Sequence, residues 1–230
     1  MDKPIFVVGV NHSGTSMVAG ILLKLGFDMG NLASEENRSR KDTYRIYEDI
    51  DLTKINNWFI ATKLKRHWTN VWVDDWKILD NKVSEERIKK YIEHRQKNTK
   101  GRWGAKDPRI ACLFPLWAKY LGDVKFIILK RDAHRIAGSI MRWSVSPYNR
   151  DRYVDMAKRY TNIIDKVIKE YPDKCLVINY ESTQNSNKDR EKTLRKICDF
   201  VGVGLPGGVQ KIDLIKAMTR KKDYNENTIY

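Results

Sequence analysis

The chain has 230 residues, 41% of them hydrophobic and 32% charged, which is enough apolar side chain to bury a core and excludes disorder as its main state. Lys and Arg number 44 against 29 Asp and Glu, a formal charge of +15 that favours a polyanionic partner without choosing between nucleic acid, a phosphorylated small molecule and an acidic polysaccharide. Cys112, Cys175 and Cys198 are too few for a disulfide framework and point to a reducing, cytoplasmic setting; no stretch approaches the ~20 apolar residues of a membrane span, and Asn11, His12 and Ser13 interrupt the first apolar run where a secretory signal would continue, so the chain is expected to start directly with structure.

Ile5-Phe6-Val7-Val8 is short, apolar and rich in β-branched residues, the pattern of a buried strand. A glycine-bearing turn, Gly9 to Ser16, follows. Met17, Val18, Ile21, Leu22 and Leu25 then recur at helical spacing up to Gly26, a natural helix stop. Residues 28–46 are polar and expected as loop. Glu48 to Phe59 is expected as a helix with Leu52, Ile55, Trp58 and Phe59 on one face. Residues 61–80 carry Trp68, Trp72 and Trp76 among charges and show no clear period, although the four-residue spacing of the tryptophans suggests a helix face packed on the core, or alternatively a wall for a sugar or aromatic ligand. Ser84, followed by Glu85 and Glu86, marks a helix start continued by Ile88, Tyr91 and Ile92.

The second half alternates. A short strand over Gly101–Ala105 leads to Lys106-Asp107-Pro108-Arg109, and Ala111–Leu121 reads as a helix. The strand Val124–Leu129 ends at Lys130-Arg131-Asp132, with Asp132 placed to cap a helix bearing Ile136, Ala137, Ile140 and Met141. A long helix holds Met156, Tyr160, Ile163, Val167 and Tyr171 in register. Leu176-Val177-Ile178 is a strand ending at Tyr180-Glu181, and Leu194, Ile197, Cys198 and Val201 mark a helix closed by Gly202. Strands alternating with helices predict an α/β layer sandwich with a mainly parallel sheet. No linker interrupts it, so residues 1–230 are expected to form one domain, with 204–230 as a Gly- and Lys-rich tail that is in part mobile.

Gly9 to Ser16 has the spacing of a phosphate-binding P-loop, with Thr15 in place of the usual lysine. Backbone N–H groups around Ser13, Gly14 and Thr15 would still converge at the positive end of the next helix, and the hydroxyls of Ser13, Thr15 and Ser16 add donors. What is lost is the cation that reaches the β- and γ-phosphates of a nucleoside triphosphate. A bare glycine turn between strand and helix is the simpler alternative. A second anion site is suggested where Val124–Leu129 ends. Arg131 stands at the strand end, and Ser139 lies eight residues on, on the polar side of the helix with Arg135 and Arg142. The simpler alternative there is a solvated helix face and a salt bridge. Two such turns in one sheet suggest a ligand with phosphates at two places.

Four blocks in order over residues 4–202 resemble the sulfotransferase family, whose donor is 3′-phosphoadenosine 5′-phosphosulfate (PAPS). Val8 to Ser16 is similar to the 5′-phosphosulfate loop, Tyr47-Glu48-Asp49 with Asn56 to a glutamate-bearing segment of bacterial members, Trp103 to Arg109 to their W-G-x-K-D-P-R block, and Phe126 to Asp132 with Ser139 to the 3′-phosphate site. The resemblance implies a three-layer fold related to P-loop kinases and transfer of a sulfuryl group to a hydroxyl or amine of a small-molecule or glycan acceptor, with PAP as product, no metal and no nucleic-acid partner. It implies that His12, Ser13, Gly14, Thr15 and Ser16 hold the 5′-phosphosulfate. Arg131 and Ser139 hold the 3′-phosphate, and Tyr180 packs near the adenine. His12 and Lys106 neutralise charge on the leaving group, and Glu48, or else Asp107, takes the acceptor's proton. His12 departs from the family's usual Arg or Lys. The Arg-Lys-Gly-x-x-Gly segment of cytosolic animal members is missing, with Arg220, Lys221 and Lys222 as candidates to stand in for it.

Two rivals remain at this point. A small-molecule kinase would need a lysine where Thr15 stands and a Mg²⁺-holding carboxylate, for which Asp132 and Glu181 are candidates. A nucleic-acid-binding module would need its cations in a stripe, and they are spread along the chain. His12, His67, His94 and His134 are scattered without metal-ligand spacing. Acceptor-shaping residues are expected in loops at 28–46, 61–80 and 144–152.

Overall fold

Four strands, β1 (Ile5–Gly9), β2 (Gly104–Lys106), β3 (Lys125–Lys130) and β4 (Cys175–Asn179), form one sheet in the order β2-β1-β3-β4 with every neighbouring pair parallel. The computed structural model describes residues 3–32, 47–72, 74–143 and 148–219. Within them the helices are α1 (Thr15–Lys24), α2 (Ile50–Asn57), α3 (Trp76–Leu79), α4 (Lys82–Asn98), α5 (Ile110–Tyr120), α6 (Ala133–Trp143), α7 (Arg150–Glu170), α8 (Ser182–Asn185), α9 (Asn187–Val201) and α10 (Gly208–Ala217).

The central strands read as unbroken apolar runs because both faces of the sheet are covered. Side chains alternate between the faces. Phe6 and Val8 of β1 and Phe126 and Ile128 of β3 enter one core with Leu52, Phe59, Phe114, Trp117, Met156 and Ile163. Ile5, Val7, Ile127 and Leu129 enter a second core with Ile21, Leu22, Leu194, Ile197 and Leu214. Helix, sheet and helix therefore make the three layers that the resemblance implied, around the parallel sheet that the alternation predicted.

Several boundaries differ from expectation. The helix expected from Glu48 starts at Ile50, because the Asp49 side chain accepts the Asp51 N–H and caps it. It passes at Trp58 into a π-helical turn, Trp58–Lys63. The three tryptophans do not share a helix face. Trp68 lies in a 3₁₀ turn (Trp68–Asn70), Trp72 is exposed beyond it, and Trp76 opens α3. α4 begins before Ser84, since Asn81 accepts the Ser84 N–H and is the cap. Part of the expected tail is α10, whose Leu214 and the following Met218 are buried against the second core; residues 220–230 lie outside the described residues.

The register decides where the site is. Gly9 pairs with Leu129, Val7 with Lys106 and Lys130 with Asn179, so four C-terminal strand ends share one rim. The β1–α1 loop emerges there between Lys106 on one side and Arg131 on the other, at the edge where open parallel sheets bind ligands.

Candidate active site

Gly14 is the N-cap of α1, with φ of 101°. Only glycine adopts that conformation without strain, and a Cβ there would overlap the Tyr180 ring. α1 has no side-chain cap and no acidic residue in its first turn, so its leading N–H groups keep their affinity for an external anion. His12, with φ of 64°, is also left-handed. Ser13 differs from the donor role expected of it. Its N–H goes to Val10 O at 2.9 Å. Its hydroxyl is fully buried against the Gly9 Cα and has no hydrogen-bond partner among the described residues. Ser13 closes the loop from within, the Thr15 side chain is buried beside it against Gly9, and Gly14 and Ser16 are the partly exposed residues of the turn.

The second place where an anion site is expected is continuous with the first. Arg131 donates from Nη1 to the His12 carbonyl at 2.7 Å, and its guanidinium lies 4.6 Å from the Tyr180 ring centroid, with Glu181 at 3.8 Å. Ser139 is buried at 8% exposure, and its Oγ is 3.0 Å from His12 Nδ1. His12, Arg131, Ser139 and Tyr180 are thus brought together. Asp132 caps α6 by accepting the Arg135 N–H at 2.9 Å, as expected. Burial holds the His12 imidazole down at about 4, with Arg131, Lys106 and Arg142 adding to the effect, so it is neutral at pH 7.

On the other side of the loop, Lys106 is 2% exposed and donates to Glu48 Oε1 at 3.1 Å and to Ser16 Oγ at 3.4 Å. The Asp49 N–H bonds to Lys106 O, which aligns residues 48–49 with the end of β2. Because Asp49 caps α2, Glu48 is left to the site rather than to the helix. Its second oxygen lies 3.5 Å from Arg109 Nη1. Asp107 is fully buried. One of its oxygens takes the Arg109 N–H and Nη1 at 2.9 and 2.8 Å, and the other takes Asn56 Nδ2 at 2.9 Å. Asn56 in turn accepts from Trp117 Nε1 at 2.8 Å. Both carboxylate oxygens of Asp107 are engaged, which makes it the anchor of Arg109.

A small cleft opens beside Glu48, lined by Asn11, Glu48, Trp68, Pro108, Arg109, Cys112 and Tyr160. Of the loops expected to shape the acceptor pocket, 61–80 contributes Trp68. Residues 33–46 and 144–147 lie outside the described residues. Sequence reasoning gave no role to Asn11, although it lies within the phosphate-loop motif, to Tyr160, which it placed only on a helix face, or to Arg109 of the W-G-x-K-D-P-R block. Among the described residues no group of three His, Cys, Asp or Glu could hold a metal, and no helix is long and apolar enough to cross a membrane.

A family model described as the sulfotransferase family matches residues 4–207. Among solved structures, the chain is similar to sulfotransferase STF9 from Mycobacterium avium, with a TM-score of 0.61 and 12% identity over 94% of this chain and 67% of the other. It is also similar to the sulfotransferase domain of the Synechococcus PCC 7002 olefin synthase, with a TM-score of 0.53 and 16% identity over 93% and 81%. The sulfotransferase domain of the curacin biosynthetic pathway gives 0.55 and 15% over 93% and 78%. No curated protein sequence matches the chain.

Proposed function

The chain belongs to the sulfotransferase family, and we propose that it moves a sulfuryl group from PAPS to a hydroxyl or amine of a small-molecule or glycan acceptor. The observation that carries the proposal is the hydrogen bond from Arg131 to His12 O, which joins the β1–α1 loop to the end of β3, so that both can face one ligand. A donor with phosphates at two places needs such an arrangement, and a linear triphosphate does not.

The residues present fit that donor. Gly14, Thr15 and Ser16 would hold the 5′-phosphosulfate at the uncapped start of α1, with Ser13 fixing the loop beneath them. Arg131 and Ser139 would hold the 3′-phosphate, and Tyr180, packed between Gly14 and Arg131, would lie beside the adenosine. The donor supplies a sulfur already activated by a phosphate leaving group. Lys106 would neutralise the charge that builds on that leaving oxygen, which is the larger part of the catalytic work in such transfers, and the neutral His12 imidazole would add a hydrogen bond there rather than a charge. Glu48 takes the acceptor's proton as the acceptor oxygen bonds to sulfur and the sulfur–phosphate oxygen bond breaks. Asp107 positions Arg109, which borders Glu48. A cytoplasmic location and a single domain over residues 1–230 are part of the same proposal, as is the absence of a nucleic-acid partner. The charge of +15 suits an anionic donor and accommodates an acidic glycan.

Isothermal titration with PAP and with ATP-Mg²⁺ tests the donor. PAP is expected to bind and ATP-Mg²⁺ is not; ATP-Mg²⁺ binding without PAP binding would assign the chain to kinase chemistry. Radiolabelled PAPS against sugars, glycolipids, peptides and phenols then identifies the acceptor class.

A further inference from the structure

The loop that forms the donor cradle also reaches the cleft. At His12 the backbone turns through a left-handed conformation, φ 64°. Strain of that kind persists where the surroundings enforce it. Here it separates two consecutive side chains. His12 goes to Ser139, 3.0 Å away on the Arg131 side, and Asn11 lines the cleft with Glu48. Asn11 is therefore the residue of the donor loop that lines the same cleft as Glu48.

The other polar groups of the cleft are committed. The Tyr160 hydroxyl donates to Trp68 O, and Cys112 Sγ donates to Arg109 O at 3.1 Å. Glu48 and Arg109 face one another across 3.5 Å. The Tyr160 bond also fixes the 3₁₀ turn that carries Trp68, whose indole packs against His67 and forms part of the wall. Beside the Glu48 carboxylate, held between Lys106 and Arg109, what the cleft offers a ligand is an aromatic surface and a neutral carboxamide that both donates and accepts.

Resting on the sulfotransfer proposal above, we infer that the acceptor is a carbohydrate, its ring against Trp68, the reacting hydroxyl at Glu48 and a neighbouring hydroxyl held by the Asn11 carboxamide. A phenol has a single hydroxyl and leaves the carboxamide without a partner, and a site built to bond a hydroxyl discriminates against ligands that lack it. Asn11 is then a specificity-determining residue that makes no contact with the transferring sulfur.

The test uses the full chain, labelled PAPS, methyl pyranosides with their monodeoxy analogues and short oligosaccharides, beside simple phenols, and measures the PAP dissociation constant of every variant. Transfer to the sugars is expected. Removal of the hydroxyl next to the sulfated one should lower kcat/KM about 10-fold or more. Asn11→Ala should lower it by a similar factor on the full sugar and have little further effect on the deoxy analogue. Asn11→Asp, which keeps the shape, loses the N–H donor and adds a negative charge, should also lose activity on the full sugar, and PAP binding should stay within about twofold in Asn11→Ala. If PAP binds and phenols are sulfated while no sugar is, or if Asn11→Ala handles sugars as the parent chain does, the carbohydrate assignment is overturned and sulfotransfer stands. If PAP does not bind and no label moves to any acceptor, both fall together.

Discussion

The carbonyl oxygen of His12 accepts a hydrogen bond from Arg131 Nη1 at 2.7 Å, across 119 residues of sequence. The bond joins the turn after the first strand to the end of the third, and through Ser139 it gains a second tie to α6. Neither tie is a core contact. Each uses a polar group at the rim of the sheet, where a ligand with two separated anionic groups would meet both.

Replacing Arg131 by Lys should therefore be costly despite the retained charge. Lysine cannot bond the His12 carbonyl, stack on Tyr180 and present a planar fork to a phosphate at once. PAP affinity should fall about 10- to 100-fold, in line with roughly 1.5–3 kcal/mol for a hydrogen bond to a charged group. Titration calorimetry on Arg131→Lys and Arg131→Ala checks it, with adenosine 5′-phosphosulfate, which lacks the 3′-phosphate, as the control. If both variants lose affinity equally for PAP and for that control, Arg131 supports the loop and does not bind the 3′-phosphate.

Glu48→Gln should separate chemistry from binding. Glutamine keeps an acceptor for Lys106 at the position now 3.1 Å away and is not a base. Turnover should drop by about 10²–10⁴, the range typical of general acid–base catalysis, with PAP affinity nearly unchanged. Single-turnover transfer from labelled PAPS measures the first and calorimetry the second. Residual turnover above a few per cent would move the base elsewhere in the cleft.

The layers of the fold were legible because β1 and β3 are apolar on both faces and the flanking helices keep a strict period, which is the physics of a covered parallel sheet. The site was legible only where spacing encodes backbone geometry, as at Gly14, or where a charged residue ends a strand, as at Lys106 and Arg131. Residues 58–80 were not legible, since a π-helical turn, a 3₁₀ turn and a four-residue helix follow one another and none is long enough to show a period. The even spacing of Trp68, Trp72 and Trp76 was misleading for that reason. The roles of Ser13 and Asp107 were hidden for another: whether a polar side chain faces the ligand or the protein depends on partners distant in sequence, here Asn56 for Asp107 and the backbone of Gly9 for Ser13.

Gly14→Ala should damage the fold and the site together. A side chain at φ 101° costs about 1–3 kcal/mol in backbone strain, and the new methyl also overlaps the Tyr180 ring. Adding Tyr180→Ala should remove the overlap and leave the strain. Urea midpoints of Gly14→Ala, Tyr180→Ala and the double variant resolve the two parts. A double variant no more stable than the sum of the single losses predicts would show that the ring does not press on the loop.

His12 makes stability and nucleotide binding depend on pH in opposite ways. An exposed histidine titrates near 6.5, and in the folded chain burial and the nearby Arg131, Lys106 and Arg142 hold His12 at about 4. Between those values the unfolded chain binds a proton that the folded chain does not, so this contribution to stability is intact above pH 6.5 and is lost as the pH falls towards 4. At most the loss is roughly 3 kcal/mol, the linkage equivalent of the difference between the two values. His12→Asn, which tolerates the left-handed backbone and stays neutral, should flatten the pH dependence of the urea midpoint over that range. PAP acts in the other direction. Its phosphates, set beside the imidazole, would oppose the field of the three cations and raise the His12 pKa, so between pH 7 and 5.5 the parent chain should take up more protons on binding than His12→Asn does, the phosphates' own titration at about 6 being common to both. Calorimetry in two buffers of different ionisation enthalpy measures the uptake directly. A buffer dependence that is the same in the parent chain and in His12→Asn would place the phosphates too far from the imidazole for His12 to belong to the donor site.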